Sequence, residues 1–533
     1  MYNYYTPLQQ RQLALQEYSN TQSTYLLVCA PARSTALKAT LTDQLHRKFR
    51  LVDRLDGELT ASVDGVLLAA EDVELMSTAL MFFAKALQDG ADYAVCNAVF
   101  GFGGATALYQ SQPLQAQNRC AVVSRTLLER CRAAAHDPEN VPELLALAAQ
   151  LCTRPTLVPQ ALLHYERGIC AEDAFSAHGK RAFIMSHVLD MTGAPIVLVS
   201  AVPVLRSMGY EVLVLGPSDG GSLHLFLDAG ASVITRSSCR NVSDAWGMAL
   251  CADFVIVNTV VMARAVRALS GTAVPVLWWL HDAFAGYPHI AHQIPTQLGE
   301  NVRVYSVGSH AANAMHAVRP EFEIRPLIYG LPDYAAENFV RTDLGYNRGR
   351  PLFATVGSFE RRKGHDIFCK AIRLLPPEVR EKASFLFVGQ AADKEMMDSV
   401  RTLTADYPEN VFYCKRLTRD EIKSLMEQCT GLVCASRDDP MPTFVTEGLI
   451  FGKPSIVSEH TGTAGLISEG RNGFVYHNDD PQQLAVLLEH AIEHPEELAS
   501  MRTECRKMYE QYYSKEAFEQ TLRAAVEDLT AKK

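Results

Sequence analysis

Two acidic residues, Asp439 and Glu447, flank the predicted start of a helix in the stretch SRDDPMPTFVTEGLIFGKPSIVS. The prolines of the turn and the apolar residues after it predict a helix that begins near Thr443 and carries Glu447 one turn in. Free backbone N–H groups and the helix dipole favour phosphate at such an end, and neighbouring carboxylates accept hydrogen bonds from hydroxyls. The stretch therefore predicts a nucleotide-sugar site; a solvated turn with Asp439 near the N-cap is the alternative.

A basic loop, GSFERRKG, spans Gly357 to Gly364 directly after the predicted strand Leu352–Val356. Arginine binds a diphosphate as a fork and lysine binds it as a point charge, so we expect Arg362 and Lys363 to face a diphosphate. A solvated basic loop is the alternative for this segment.

Two residues stand at the ends of predicted strands in the middle of the chain. His281 follows the apolar strand VPVLWWL, and Gly193 lies shortly after the strand Ala182–Ser186. Ligands bind at the carboxyl edge of open parallel sheets, so both residues are candidates for a site. His187 competes with His281, and the alternatives are a histidine that only caps its strand and a glycine in a plain turn.

The spacing of seven residues between Asp439 and Glu447, the GKPSIVS that follows, and GRNGFV at 470–475 resemble the donor site of retaining family-four glycosyltransferases, which have the GT-B fold. The resemblance implies that His281 faces the donor sugar and that Glu447 holds the ribose. It implies catalytic roles for His281, Asp439 and Glu447. The implied donor-binding residues are Gly193, Gly357, Ser358, Arg362, Lys363, Leu417, Thr443, Phe444, Val445 and Glu447.

This sequence departs from the family pattern at two positions of the implied site. The family usually has glutamate where Asp439 stands, and an arginine where Ser358 stands. Either Arg361 or Arg362 is the expected substitute for that arginine. The segment 415–418, which includes Leu417, occupies the place where the family holds the nucleotide base, largely through backbone.

The alternation of strands and helices predicts an α/β protein with two Rossmann-like parallel-sheet domains that face a cleft, preceded by a smaller α/β domain. We expect a first domain at 1–168, the GT-B domains at 178–335 and 340–505, and a C-terminal helix at 506–533 that packs back on the first of them. Three segments of the first domain, ADYAVCNAVFGFGG, NRCAVVSRTLLERC and TLVPQALLHYERG, resemble the GT-A fold of family-two glycosyltransferases.

The first domain lacks the metal-binding Asp-x-Asp of that family, and Glu71-Asp72 is the nearest equivalent. We therefore expect a reduced, non-catalytic domain; a second active site and an unrelated α/β domain are the alternatives. Helical spacing from Glu74 to Leu87 predicts a helix in this domain.

Composition argues against a nucleic-acid-binding protein and against a membrane-spanning protein. A formal charge of −10 disfavours nucleic acid as a partner, and 48% apolar with 21% charged residues is typical of a globular protein. The thirteen cysteines show no CxxC and indicate a reducing compartment. No signal peptide is visible and the longest apolar run, 194–205, is too short to span a bilayer, so we expect a cytoplasmic protein, with the inner face of the membrane as an option.

The sequence thus predicts a retaining, metal-independent hexosyltransferase that uses no cofactor beyond its nucleoside-diphosphate sugar. The expected acceptor is a hydroxyl of a glycan, glycolipid or protein, in surface polysaccharide or glycoconjugate assembly, with peripheral membrane contact left open. A sugar-nucleotide epimerase, a phosphorylase and a decayed scaffold subunit on the same fold are the alternatives. The donor sugar, the base, the acceptor, the linkage and the oligomeric state stay open.

Overall fold

The computed structural model describes residues 24–30, 35–41, 44, 46–55, 62–70, 73–76, 78–101, 106–110, 119–165, 179–218, 220–236, 239 and 248–531. Glu71 and Asp72, and most of the segment between the predicted first and second domains, lie outside these ranges. The chain divides into two compact units, residues 1–255 and 256–533, and the boundary falls inside the strand Phe254–Asn258. The three domains and the C-terminal helix expected from the sequence stay a prediction.

The first unit is a mixed α/β structure. Its strands are β1 Leu26–Cys29, β2 Phe49–Val52, β3 Gly65–Ala69, β4 Glu74–Leu75, β5 Tyr93–Gly101, β6 Thr106–Gln110, β7 Cys120–Ser124, β8 Pro155–Tyr165, β9 Lys180–Met185, β10 Tyr210–Gly216 and β11 Ser232–Arg236. Its helices are α1 Thr35–Leu41, α2 Ala79–Gln88, α3 Arg125–Ala134, α4 Val141–Leu151, α5 Gly193–Ser207 and α6 Leu223–Asp228. The strand order is β9-β10-β11-β6-β5-β7-β3-β1-β2, with β8 beside β5. Strands β9, β10 and β11 are parallel, whereas β6 pairs antiparallel with β11 and β5.

The amino-terminal part of this unit buries both faces of its sheet. Leu26 and Val28 point into a cluster with residues of α1 and α2, and Leu27 and Cys29 point into a second cluster with residues of α3 and α4. This alternation follows from the two-residue period of a strand. The resemblance of this part to the GT-A fold stays a prediction.

One predicted element of this region is wrong at its start. The sequence predicts a helix from Glu74, but Glu74–Leu75 form the strand β4, which pairs antiparallel with β8, and the helix begins at Ala79. Glu74 and Leu75 form a strand because they pair with β8, which lies far away in the sequence. The spacing of apolar residues near Glu74 contains no information about that partner.

The second unit contains two sheets. Its strands are β12 Phe254–Asn258, which crosses the boundary, β13 Val276–Leu280, β14 Val302–Ser306, β15 Ile324–Pro326, β16 Leu352–Val356, β17 Ser384–Val388, β18 Val411–Cys414, β19 Gly431–Cys434, β20 Ser455–Ser458 and β21 Gly473–Tyr476. Its helices are α7 Ala263–Leu269, α8 Ser309–His316, α9 His365–Leu374, α10 Pro377–Arg380, α11 Lys394–Asp406, α12 Arg419–Gln428, α13 Thr443–Ile450, α14 Pro481–Glu493, α15 Pro495–Ser500, α16 Arg502–Met508 and α17 Lys515–Thr530.

The sheet orders of this unit are β12-β13-β14-β15 and β18-β17-β16-β19-β20-β21. All pairs of the six-stranded sheet are parallel. Its strands are short apolar runs, such as the fully buried SFLFV of β17, which is typical of parallel sheets covered by helices on both faces. The predicted α/β class with Rossmann-like parallel sheets is confirmed.

The carboxyl-terminal helix α17 contacts β13 and its neighbours. The ring of Phe518 stacks on that of Trp279 with centroids 5.8 Å apart, and Asp528 pairs with Arg325 at 2.8 Å. A π-helical turn, Tyr509–Tyr513, precedes α17, and the N–H of Leu331 donates to the carbonyl of Tyr513 at 2.7 Å. Among the described residues, no helix is both long enough and apolar enough to cross a membrane.

Candidate functional site

The helix α13 begins at Thr443, as predicted, and it begins without a side-chain cap, because Pro442 is its N-cap. Helix geometry leaves the N–H groups of Thr443 and Phe444 without intrahelical acceptors. The side chains of Phe444 and Val445 are buried, and the N–H of Val445 donates to the carbonyl of Pro442. The start of α13 therefore presents N–H donors and the positive end of a helix dipole, the features that suit a phosphate.

Asp439 and Lys363 form a close ion pair beside this helix end. Lys363 Nζ lies 2.6 Å from Asp439 Oδ2, and the Asp439 side chain is only 4% exposed. The main chain of Asp439 is also fixed, because its N–H donates to the carbonyl of His460 and its carbonyl accepts from Gly462. Two residues that the sequence analysis assigned to the sugar and the diphosphate are thus brought together.

A glycine allows the basic loop to approach the loop at 435–442, called here the acidic loop because it carries Asp438 and Asp439. Gly364 has φ +66°, and a Cβ atom there would lie 1.8 Å from the carbonyl oxygen of Ala435. No other residue fits such a contact, and few adopt this φ without strain. Gly364 follows a single 3-10 turn, Arg361–Lys363, so its close contact sets the position of Lys363.

The basic loop also brings Arg362 into contact with the main chain of Asp438. Arg362 Nη1 donates to the carbonyl of Asp438 at 2.9 Å, and Nη2 donates to Glu360 Oε1 at 3.0 Å. The side chain of Arg361 is exposed, and the hydroxyl of Ser358 also donates to Glu360 at 2.8 Å. Of the two arginines left open by the sequence, Arg362 contacts the main chain of Asp438 through its side chain, whereas Arg361 contacts Arg437 through its carbonyl. Gly357, at the start of this loop, donates its N–H to the carbonyl of Val388.

Glu447 has a cationic partner of its own. Its Oε1 accepts from Arg419 Nη1 at 2.6 Å, and its side chain is 11% exposed. Arg419 is the first residue of α12 and directly follows the segment that contains the half-buried Leu417. Sequence reasoning missed Arg419, because no local pattern shows that the start of α12 meets the first turn of α13.

Asp438 is a second residue that the sequence analysis missed. Its carboxylate accepts from the N–H groups of Phe284 and Ala285, at 3.1 and 2.8 Å, and lies 2.7 Å from His310 Nε2. Burial raises the pKa of Asp438, but the hydrogen bonds from His310 and Ala285 outweigh it, so this pKa lies below its usual value. In the sequence, the only indication that Asp438 belongs to the site is its position next to Asp439.

Behind the acidic loop lies a buried Arg437–Asp366 pair. Arg437 donates from Nη1 and Nη2 to the two carboxylate oxygens of Asp366, at 2.7 and 2.8 Å. Burial raises the pKa of Asp366, but the hydrogen bonds and the charge of the Arg437 guanidinium lower it by more. The pKa of Asp366 is therefore below its usual value. The neighbouring His365 is buried, and burial together with the charge of Lys363 lowers its pKa to about 3, so its ring is neutral.

His281 follows β13 and is anchored by aromatic packing. Its ring centroid lies 4.7 Å from that of Trp279, whose indole N–H donates to the carbonyl of Leu327. The next residue, Asp282, accepts from the N–H of Val260 at 2.6 Å, and burial raises its pKa to about 6. These contacts fix the position of the His281 backbone at the end of the strand.

Gly193 and His187 belong to the first unit. Gly193 is exposed and is the first residue of α5. His187 is half-buried, two residues after β9 ends. Their roles, like those of the other predicted site residues, stay predictions. Within the described ranges, no group of three or more His, Cys, Asp and Glu side chains is arranged to hold a metal ion.

Two family models match the chain. Residues 178–321 match the model described as glycosyl-transferase family 4, and residues 337–508 match glycosyl transferases group 1. The two matches follow one another with a gap at 322–336, and between them they contain every predicted residue of the candidate site.

Relatives of known sequence agree with these models over shorter stretches. An uncharacterised glycosyltransferase of Methanocaldococcus jannaschii, MJ1178, is 26% identical over 197 residues, which are 36% of this chain and 53% of the relative. Spore coat protein SA of Bacillus subtilis is 27% identical over 160 residues, which are 28% of this chain and 41% of that protein. The chain thus spans about half or less of the length of these relatives.

Solved structures share the fold. Anabaena Alr3699/HepE, in complex with UDP, superposes with a TM-score of 0.53 at 18% identity and covers 66% of this chain and 100% of its own. Sucrose-phosphate synthase from Thermosynechococcus elongatus gives 0.53 at 15% identity, with 66% and 99% covered. The matched models and the shared architecture lead to one conclusion: residues 178–321 and 337–508 belong to the family-4 and group-1 glycosyltransferases, and this part of the chain has their GT-B fold.

Proposed function

We propose that this protein is a retaining glycosyltransferase that moves a hexose-type sugar from a nucleoside diphosphate to a hydroxyl acceptor. The observation that carries the proposal is the pair of ionic contacts at the uncapped start of α13. Lys363 pairs with Asp439 on one side, and Arg419 pairs with Glu447 on the other. Cations, carboxylates and free N–H groups at one helix end can bind the phosphates, the sugar and the ribose of a single donor.

The nature of the donor is supported by a relative. The solved structure of Anabaena Alr3699/HepE contains UDP, and another of the same protein contains UDP-glucose. By analogy, we propose a nucleoside-diphosphate sugar as the donor here and take UDP as the first nucleotide to test. Leu417 and the residues around it would contact the base through main-chain groups.

In the proposed reaction, negative charge develops on the leaving diphosphate. Lys363, Arg362 and the N–H groups at the start of α13 would stabilise that charge, in an arrangement formed before the reaction. Asp439 would accept hydrogen bonds from the sugar hydroxyls, and His281 would orient the sugar from the end of β13. Glu447 would hold the ribose.

We propose that the acceptor attacks from the face that the diphosphate leaves. The bond between the anomeric carbon and the phosphate oxygen breaks, the acceptor oxygen bonds to that carbon, and the acceptor proton goes to the leaving phosphate. This path retains the anomeric configuration without a covalent sugar–enzyme intermediate. It needs no metal, because Lys363 and Arg362 supply the positive charge.

The acceptor and the setting complete the proposal. We propose a hydroxyl of a glycan, glycolipid or protein as the acceptor, in polysaccharide or glycoconjugate assembly on the cytoplasmic side of a membrane. A structurally similar protein, WaaG, with a TM-score of 0.51 and 17% identity, is described as a glycosyltransferase of lipopolysaccharide biosynthesis. No nucleic acid takes part in this reaction.

The test combines donor binding with one substitution. We expect a sugar nucleotide among the UDP, GDP and ADP sugars to raise the melting temperature of the full-length protein, since a ligand that binds only the folded state stabilises it. We expect Glu447→Ala to abolish this stabilisation and the transfer, because the ribose would lose its acceptor. A folded variant with near-normal kcat/KM would refute the donor site. A product with inverted anomeric configuration would refute retention.

A further inference from the structure

Arg419 holds only one of the two carboxylate oxygens of Glu447. Its Nη1 lies 2.6 Å from Oε1. Within the described part of the chain, no donor forms a hydrogen bond with Oε2 of Glu447. The carboxylate is 11% exposed, whereas the Arg419 side chain is 48% exposed. Glu447 therefore presents one oxygen to its guanidinium and keeps the other for a donor from outside the protein.

The position of Arg419 is fixed from two directions. Its backbone begins α12, and the preceding Thr418 forms a reciprocal capping box with Glu421, which holds this helix start rigid. Its guanidinium carbon lies 4.2 Å from the ring centroid of Tyr334, so the planar group packs against an aromatic face. The same ring also lies 5.5 Å from the Nζ of Lys423, one turn further along α12.

We infer that Arg419 is a positioning residue that orients Glu447 toward the ribose hydroxyls and thereby makes the site select ribonucleotides over 2′-deoxyribonucleotides. This inference rests on the proposed function, which assigns Glu447 to the ribose. Arg419 acts through Glu447: the guanidinium stops the carboxylate from rotating, so that Oε2 keeps one direction.

The selectivity follows from the chemistry of a buried carboxylate. A ribose offers two neighbouring hydroxyl donors, and a 2′-deoxyribose offers one. A site built to hydrogen-bond a hydroxyl rejects an analogue that lacks it, because a buried acceptor is then left unpaired. This penalty requires a fixed acceptor, since a carboxylate that can rotate finds another partner or water.

The experiment measures two dissociation constants on the full-length protein by calorimetry. The probes are UDP and 2′-deoxy-UDP, or the matched pair of GDP or ADP if the wild type binds one of those instead. We expect the wild type to prefer the ribonucleotide. We expect Arg419→Ala to weaken ribonucleotide binding about tenfold, the value of one charged hydrogen bond, and to bring the ratio of the two constants toward one.

A matched control contacts the same helix from outside it. Arg341 pairs with Glu427 of α12 and packs 4.7 Å from the ring centroid of Phe339, so it makes the same two kinds of contact away from Glu447. We expect Arg341→Ala to leave the ratio of the two dissociation constants unchanged. Arg419→Lys keeps the charge but lacks the planar fork, so its ratio of dissociation constants should lie between those of the wild type and Arg419→Ala. If the alanine variant does not fold, the lysine variant tests the inference in its place.

A second arm separates a direct role of Arg419 from one that acts through Glu447. In a Glu447→Gln background, we expect Arg419→Ala to change the ratio no further. A ratio equal to that of the wild type in Arg419→Ala would overturn the inference and leave the proposed function standing. Tighter ribonucleotide binding in that variant would overturn it too, because Arg419 would then compete with the ribose. A wild type that binds none of the three nucleoside diphosphates would overturn the proposed function and this role with it.

Discussion

At the scale of single residues, the candidate site is a set of buried carboxylates, each with a cation at hydrogen-bond distance. Asp439 pairs with Lys363, Glu447 with Arg419, and Asp366 with Arg437. Buried ion pairs add little stability compared with apolar residues, but the loss of one partner is costly. These charges therefore mark a constraint other than stability, which agrees with a site for a charged ligand.

The Lys363–Asp439 pair yields a stability prediction. We expect Lys363→Met to destabilise the protein by about 3 kcal/mol, because it leaves the buried charge of Asp439 without a cation. The double variant Lys363→Met with Asp439→Asn should recover most of that loss, since the uncompensated charge is gone. Urea unfolding of the three proteins measures both effects. A double variant no more stable than the single one would show that the loss comes from packing.

His281 yields a kinetic prediction. We expect His281→Ala to lower kcat more than it raises the KM for the donor, because sugar orientation matters most as the bond breaks. By analogy with oxyanion-hole donors, the cost is on the order of 2–4 kcal/mol. The melting temperature is measured on the same preparation. A lower melting temperature with unchanged kcat would mean that His281 only completes the end of β13, and His187 would become the candidate.

At the scale of elements, the site depends on how closely the turn Arg361–Lys363 approaches the loop after β19. Gly364 and Gly345 have nearly the same φ, +66° and +68°, but a Cβ atom meets a carbonyl oxygen at 1.8 Å only at Gly364 and meets nothing within 4 Å at Gly345. The two glycines thus separate the cost of backbone conformation from the cost of contact.

This comparison gives a prediction for the basic loop. We expect Gly345→Ala to cost about 1–2 kcal/mol, the penalty of a left-handed residue. We expect Gly364→Ala to cost about 1–3 kcal/mol more and to weaken nucleotide binding, because the overpacked turn must move and carry Lys363 with it. Unfolding midpoints and nucleotide affinities of the two variants decide the matter. Equal losses of stability and of nucleotide affinity in the two variants would show that the close contact between Gly364 and Ala435 does not position the basic loop.

At the scale of the whole molecule, the two predicted donor carboxylates already contact cations. A divalent ion in a nucleotide-sugar site is usually held by carboxylates, and here Asp439 contacts Lys363 and Glu447 contacts Arg419. We therefore expect transfer by the full-length protein to survive excess EDTA. The measurement is the rate of sugar transfer with and without chelator, with Mg²⁺ added back. A rate lost to EDTA and restored by Mg²⁺ would make one of these residues a metal ligand.

Local signals in the sequence place several strands and the helix start that is flanked by Asp439 and Glu447, two residues of the predicted donor site. The strand Leu352–Val356 and the helix start at Thr443 lie where the sequence predicts them, and β13 ends at Leu280, directly before His281, as predicted. These are local signals: an apolar run long enough for a buried strand, or a proline turn followed by periodic apolar residues. The spacing of Asp439 and Glu447 is equally local, because one loop and one helix turn fix it.

Only the tertiary structure decided which charges meet. Asp438 binds Phe284 and Ala285, more than 150 residues earlier in the chain, and Arg419 meets Glu447 across two helix starts. The side chain of Arg362, not that of Arg361, contacts the main chain of Asp438, and this depends on the direction of one 3-10 turn beside the close approach of Gly364 to Ala435. Hydrogen bonds act over about 3 Å in space, whatever the separation in sequence, so composition and periodicity carry no record of these partners.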